Sequence, residues 1–109
     1  MLRWACLTML AGCGIARVDF AAEKASALCD LTKRCQLGGF YVEYTSMDNC
    51  LGRTTNELED EVEDFELCSF DPAEAARCTR RIRSMSCGDF GRGDIDEPCD
   101  LVFDCGFAQ

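Results

Sequence analysis

Ten cysteines are the residues of this chain whose side chains could do chemistry. Thiols can pair as disulfides, bind metals, act as nucleophiles or carry lipid. The chain has no histidine, which excludes nucleophilic pairs with histidine, HExxH zinc sites and Cys₂His₂ fingers. No two cysteines have the CXXC spacing of redox pairs and zinc ribbons. Structural disulfides are therefore the predicted use of most thiols, and we expect no catalytic residue, cofactor or metal.

The charge balance argues against a nucleic-acid partner. The chain has 20 acidic and 11 basic residues and a net charge of −9, so its summed field repels phosphates.

A length of 109 residues fits one domain, and 48% hydrophobic residues are typical of a globular chain. Ten cysteines in this length are typical of a secreted disulfide scaffold.

The N-terminal segment resembles a bacterial lipoprotein signal. Arg3 precedes an apolar stretch that ends at Leu10 and is shorter than the roughly 20 residues needed to span a bilayer. The following Leu10-Ala11-Gly12-Cys13 resembles a lipobox, in which small residues precede a cysteine that is diacylated before cleavage at its N-terminal side. This resemblance implies a signal peptide over 1–12, acyl chains such as palmitate on Cys13, and a membrane partner.

The residue after Cys13 and the length of the signal bear on localisation. Gly14, where an aspartate would favour retention, implies transfer to the outer membrane of a Gram-negative cell. Only 12 residues precede Cys13, so a start codon annotated late remains one alternative. Another is an ordinary signal peptide cut after Ala16, which predicts a freely secreted effector or inhibitor. A third is a short buried N-terminal helix whose Cys6 and Cys13 join the disulfides.

Eight cysteines remain if Cys6 leaves with the signal and Cys13 carries lipid, and an even number is what an oxidising compartment predicts. They are Cys29, Cys35, Cys50, Cys68, Cys78, Cys87, Cys99 and Cys105. Eight cysteines allow 105 pairings, and pairing neighbours across each turn is the simplest hypothesis. It predicts Cys35–Cys50, Cys68–Cys78 and Cys87–Cys99, with Cys29–Cys105 tying the ends.

Four amphipathic segments predict an all-α fold, a small disulfide-braced bundle of about four short helices. The first runs over 18–35, and Gly38-Gly39 ends it. The second opens near Ser46 and reaches residue 65. The third starts at Asp71-Pro72, a cap residue followed by proline at the first helical position. A short fourth helix begins at Pro98. The predicted domains are a signal peptide over 1–12, a lipidated N-terminus and tether over 13–17, and one helical domain over 18–109.

Three surface features of the sequence are candidate sites. The acidic run over 57–66 is predicted to be the solvated face of the second helix, opposite the arginines of the third. Phe40, Tyr41 and Tyr44 form an aromatic cluster on a predicted turn, and they are either a binding patch or a cover over the helical hairpin. Acidic residues on the glycine-rich loop over 88–100 lack EF-hand spacing. Paired carboxylates also leave a small glycoside hydrolase as an alternative.

Four stretches carry a resemblance that spans most of the chain. They are Leu10-Ala11-Gly12-Cys13, the helix with Cys29 and Cys35, the stretch from Cys68 through Asp71-Pro72 to Cys78, and Cys99–Cys105 around Leu101-Val102-Phe103. In these features the chain resembles cysteine-rich predicted lipoproteins of myxobacteria and related deltaproteobacteria. The resemblance implies an extracytoplasmic protein and carries over no catalytic residue. We therefore expect a lipid-anchored, non-enzymatic protein of the cell envelope that has a structural or protein-binding role.

Overall fold

The computed structural model describes residues 14–92 and 97–106. Within these ranges the helices are α1 (Arg17–Cys35), α2 (Leu37–Glu43), α3 (Met47–Asp64), α4 (Pro72–Arg83) and α5 (Cys87–Gly91), with a 3₁₀ turn over Glu97–Cys99. Two short strands, β1 (Ser69–Phe70) and β2 (Phe103–Asp104), pair antiparallel. The predicted all-α, disulfide-braced fold class is confirmed.

The long helices α3 and α4 begin where their cap residues predict. The Ser46 hydroxyl accepts the backbone N–H of Asn49 at 3.1 Å. The Asp71 carboxylate accepts the N–H groups of Ala73 and Glu74, and Pro72 occupies the first turn of the helix. Each cap satisfies backbone donors that the helix itself cannot pair. These starts depend on residues within one turn, which is why the sequence was sufficient to predict them.

The core lies around α1, which packs against both α3 and α4. Helical spacing in the sequence predicts that Ala75, Cys78, Ile82 and Met85 share the inner face of the third segment, and all four are buried. The same spacing predicts Val18, Ala25 and Cys29 on the inner face of the first segment. This prediction is only partly right, because Val18 is exposed while Phe20 and Leu31, which it leaves out, are buried. Helices on two sides of α1 bury a wider arc than the single stripe expected for a helix at a surface.

Three connections differ from the prediction. Gly38 and Gly39 lie inside α2 instead of ending a helix, and α2 lies between α1 and α3 in the chain. Residues of the predicted glycine loop form α5. The predicted fourth helix is a 3₁₀ turn followed by β2, because Asp71 donates its N–H to the carbonyl of Val102 at 2.9 Å. Pairing with β1 extends the chain there.

All eight cysteines expected to pair do so, but none of the four predicted pairings occurs. The pairs are Cys29–Cys50, Cys35–Cys87, Cys68–Cys105 and Cys78–Cys99. The predictions Cys35–Cys50, Cys68–Cys78, Cys87–Cys99 and Cys29–Cys105 are therefore wrong.

Helix geometry explains the first of these corrections. Cys29 and Cys35 are six residues apart, so on a helix of 3.6 residues per turn their side chains leave the axis about 120° apart. Cys29 faces α3 and Cys35 faces α5. The seven-residue helix α2 separates Cys35 from α3, and Cys50 in the first turn of α3 meets Cys29 instead.

Strand register explains the pair at the other end of the molecule. Ser69 lies opposite Asp104 in the antiparallel pair, so the next positions outward, Cys68 and Cys105, are also opposite one another. Their Cα atoms are 4.2 Å apart. Cys78 faces the core from the middle of α4 and is left for Cys99 on the 3₁₀ turn.

Candidate functional site

The predicted lipidation site, Cys13, lies outside the described residues, but its neighbour Gly14 is tightly packed against the fold. A Cβ atom on Gly14 would lie 2.7 Å from the carbonyl carbon and oxygen of Pro72, so only glycine fits there. Ile15 donates its N–H to the same carbonyl at 3.1 Å and packs against the main core. The described part of the predicted tether over 13–17 is thus held on the start of α4.

Arg17 fixes the beginning of α1 to two other parts of the chain. Its guanidinium donates to the carbonyl of Cys68 at 2.9 Å and to the carbonyl of Phe65, and it lies 5.4 Å from the centre of the Phe103 ring. Sequence patterning missed this role. The available signal was that a cation in the first turn opposes the helix dipole, which requires a compensating contact.

Replacing Arg17 with alanine is expected to lower the free energy of unfolding by about 2 kcal/mol, since hydrogen bonds from a charged donor contribute about 1.5–3 kcal/mol and Arg17 is partly exposed. Urea denaturation followed by circular dichroism measures the loss. Arg80→Ala is the matched control, because Arg80 is exposed and no ion pair of its side chain occurs within the described residues. Equal midpoints for the two variants would contradict this role of Arg17.

Four phenylalanines form a packed cluster near Arg17. The rings of Phe20, Phe65, Phe70 and Phe103 contact one another with centroid separations from 5.0 to 5.9 Å. Aromatic pairs in such arrangements add about 0.5–1.5 kcal/mol beyond the area they bury. The cluster therefore joins α1 and the turn at Phe65 to both strands.

Apolar side chains project into solvent at the same end. We call the entry end the surface formed by 14–18, the turn over 65–68 and the loop over 100–102. Leu67 is 97% exposed, Val18 86% and Leu101 68%. Contacts link the three segments of this surface. Arg17 donates hydrogen bonds to the turn over 65–68, and Gly14 packs on Pro72, next to the hydrogen bond between Asp71 and Val102.

Three open grooves lie at the entry end, and each shares lining residues with another. The largest, about 760 Å³, lies between the strand pair and the start of α4 and includes Leu101. A groove of about 370 Å³ beside Leu67 shares Phe65 and Cys105 with it. A third, of about 510 Å³ between α1 and α3, shares Glu63 with the second. The exposed apolar side chains of the entry end thus lie beside grooves whose lining includes carboxylates.

The predicted aromatic patch does not form one surface. Phe40 is fully buried against the Cys29–Cys50 disulfide, as the alternative of a cover over the hairpin predicts. Tyr44 is half-buried, and the Arg53 guanidinium lies 4.8 Å from the centre of its ring. Only Tyr41 remains mainly exposed, at 53%. Its ring is fixed edge-on against Phe40 with a centroid separation of 5.1 Å.

The acidic run forms the solvated face of α3, as expected, and continues into the turn that follows. All its carboxylate residues are exposed, and none of them forms a salt bridge within the part of the chain that the structure describes. The expected position opposite the arginines of α4 is wrong. Arg83 pairs with Glu23 and Asp30 of α1 instead, because α1 is the neighbour that α3 and α4 share.

The acidic residues of the predicted glycine loop are only partly described. Asp94 and Asp96 lie outside the described ranges, while Asp89 pairs with Arg92 and Asp100 is exposed. Across 14–92 and 97–106 no group of three or more cysteine or acidic side chains is placed to hold a metal ion.

Comparison with protein-family models, with curated proteins and with solved structures found no match to this chain. Among the described residues, no helix combines the length and the apolar character needed to cross a bilayer. Within the described fold, the entry end combines three exposed large apolar side chains with the packed start of the described chain at Gly14.

Proposed function

We propose that this chain is an extracytoplasmic lipoprotein, anchored through Cys13 to the outer membrane, with a non-enzymatic structural or protein-binding role in the cell envelope. The observation that carries the proposal is the complete pairing of eight cysteines in four disulfides. Disulfides form and persist in oxidising compartments. The two other cysteines of the sequence, Cys6 and Cys13, are the ones that the lipobox resemblance assigns to the signal and to the lipid.

Contacts at the start of the fold support cleavage at Cys13 over cleavage after Ala16. A cut after Ala16 would remove Gly14 and Ile15 and with them the close packing on Pro72 and the hydrogen bond to its carbonyl. A cut before Cys13 keeps both contacts. Each CH₂ of an acyl chain that enters the membrane contributes about 0.8 kcal/mol, so two or three chains on Cys13 are a sufficient anchor.

Replacing Cys13 with serine is expected to move the protein from the membrane fraction to the soluble fraction of the producing cell, because serine has no thiol to acylate. Fractionation and immunoblotting measure the distribution. Intact-mass analysis of the wild-type protein should show the loss of residues 1–12, the added acyl chains and the hydrogens lost in four disulfides.

Cys6→Ser is the matched control, because this cysteine is in the predicted signal and its loss should leave the distribution unchanged. Unchanged membrane association of the Cys13→Ser variant would contradict the anchor. A mature protein that begins at Arg17 and is found in the medium would contradict it as well, and would favour the secreted effector or inhibitor.

A further inference from the structure

We infer that the entry end rests directly on the bilayer, with Leu67, Leu101 and Val18 in contact with the lipid surface. The inference rests on the proposed lipidation of Cys13. It adds an orientation, because it specifies which surface of the domain is hidden against lipid and which surfaces remain available to a partner.

The chain is packed against the domain from Gly14 onwards. Gly14 is so close to Pro72 that a Cβ atom would meet its backbone at 2.7 Å, and Ile15 is hydrogen-bonded to the same residue. One trans peptide advances the chain by about 3.8 Å between Cα atoms. Acyl chains on Cys13 would therefore enter the membrane within one residue of the packed domain, without a tether that could hold the domain away from it.

The entry end presents exposed apolar side chains. Leu67, Leu101 and Val18 are three of the five exposed large apolar side chains in the described fold, and all three belong to the segments of the entry end. Each lies beside an open groove. Apolar surfaces that bind at a membrane enter the headgroup and acyl boundary to a depth of about 5–10 Å. The cluster of four phenylalanines and the hydrogen bonds of Arg17 attach the backbone segments next to these side chains to the rest of the fold.

Charge selects the kind of lipid surface. Glu66, Asp100 and Asp104 are exposed around Leu67 and Leu101, and the acidic half of α3 lies beside the groove that includes Val18. Carboxylates in these positions repel anionic headgroups and leave a zwitterionic surface as the favoured partner. The proposed occupant is accordingly a neutral bilayer, in which the lipid on Cys13 supplies the attraction.

Fluorescence quenching in vesicles tests this orientation. The only tryptophan of the sequence is Trp4, which the predicted cleavage removes, so Leu67→Trp introduces a single reporter at the entry end. Val42→Trp is the matched control, since Val42 is 88% exposed on α2. Phe40 of this helix packs against Cys29. Cys29 lies about 18 Å from Arg17 along the axis of α1, at a rise of 1.5 Å per residue.

The mature lipoproteins are purified, checked for acyl chains by mass, and reconstituted in phosphatidylcholine vesicles that contain lipids brominated on their acyl chains. We expect quenching at position 67 to be several-fold stronger than at position 42. A flexible linker of twelve Gly and Ser residues, starting with Gly, is then inserted between Cys13 and Gly14. Because it spans about 20 Å, it should remove most of the quenching at position 67 without affecting flotation with the vesicles.

Equal quenching at the two positions in an acylated protein that floats with the vesicles would overturn the orientation and leave the anchor intact. Quenching at position 67 that is unaffected by the linker would overturn direct seating in the same way. A protein without acyl mass that does not float would refute the proposed function, and the orientation with it.

Discussion

Reduction of the four disulfides is expected to unfold the domain at 25 °C. In the chain-entropy account each bridge stabilises the fold by about 3–4 kcal/mol for loops of this length, with sequence separations of 21, 52, 37 and 21 residues. Domains of this size have total stabilities of about 5–15 kcal/mol. A phosphine reductant at neutral pH, with far-ultraviolet circular dichroism as the measurement, should give loss of helix and of the cooperative thermal transition.

The thinness of the core is the physical reason for this dependence. The largest fully buried side chains in the described residues are Phe40, Leu31, Ile82 and Val102, followed by cysteines. Three of the seven buried residues of α1 are alanines, and an alanine side chain contributes little free energy when it is removed from water. The control is the same protein treated with an alkylating reagent alone, which should leave its mass and transition unchanged. A fully reduced chain that kept a cooperative transition would contradict the expectation.

The fold was predictable where its causes are local. Ser46 and Asp71 cap the helices that follow them, and the spacing of Ala75, Cys78 and Ile82 places them on one face whatever else the chain does. The even set of eight disulfide-bonded cysteines was likewise predictable, from the number of cysteines and from the resemblance of residues 10–13 to a lipobox. Each of these inferences needs only residues within a few turns, or a count.

Features that depend on distant contacts were not predictable. Two-residue strands give no periodic signal, so the pairing of Phe70 with Phe103 was missed and with it the Cys68–Cys105 disulfide. The short helix α2 has two glycines, which favour a turn, and it is stabilised by the packing of Phe40 on the Cys29–Cys50 disulfide, which joins positions far apart in the sequence.

The candidate site divides in the same way. Cys13 is proposed as the lipidation site from its sequence motif, whereas the exposure of Leu67 and Leu101 depends on the turn and the loop in which they lie. Exposed and buried leucines look alike in a sequence. The bonds from Arg17 to the turn over 65–68 connect residues about 50 positions apart, which no local pattern reports.

Phe40→Ala is expected to lower the free energy of unfolding by about 3–5 kcal/mol, the range for truncating a buried phenylalanine. Phe40 is fully buried and packs against the Cys29–Cys50 disulfide with Tyr44, Met47 and Leu51 around it. The cavity left by its ring would be lined by a covalent bridge that cannot collapse inward. Urea denaturation of the oxidised protein measures the loss, with the disulfides confirmed by mass.

Tyr41→Ala is the control that separates packing from surface binding. Tyr41 is 53% exposed, and its ring contacts Phe40 edge-on. Loss of that aromatic pair should cost about 1 kcal/mol. A large effect at position 40 with a small one at position 41 means that the aromatic cluster is mainly core, which leaves Tyr41 as its accessible part. Small and equal losses would instead place Phe40 at the surface and contradict the packing described for α2.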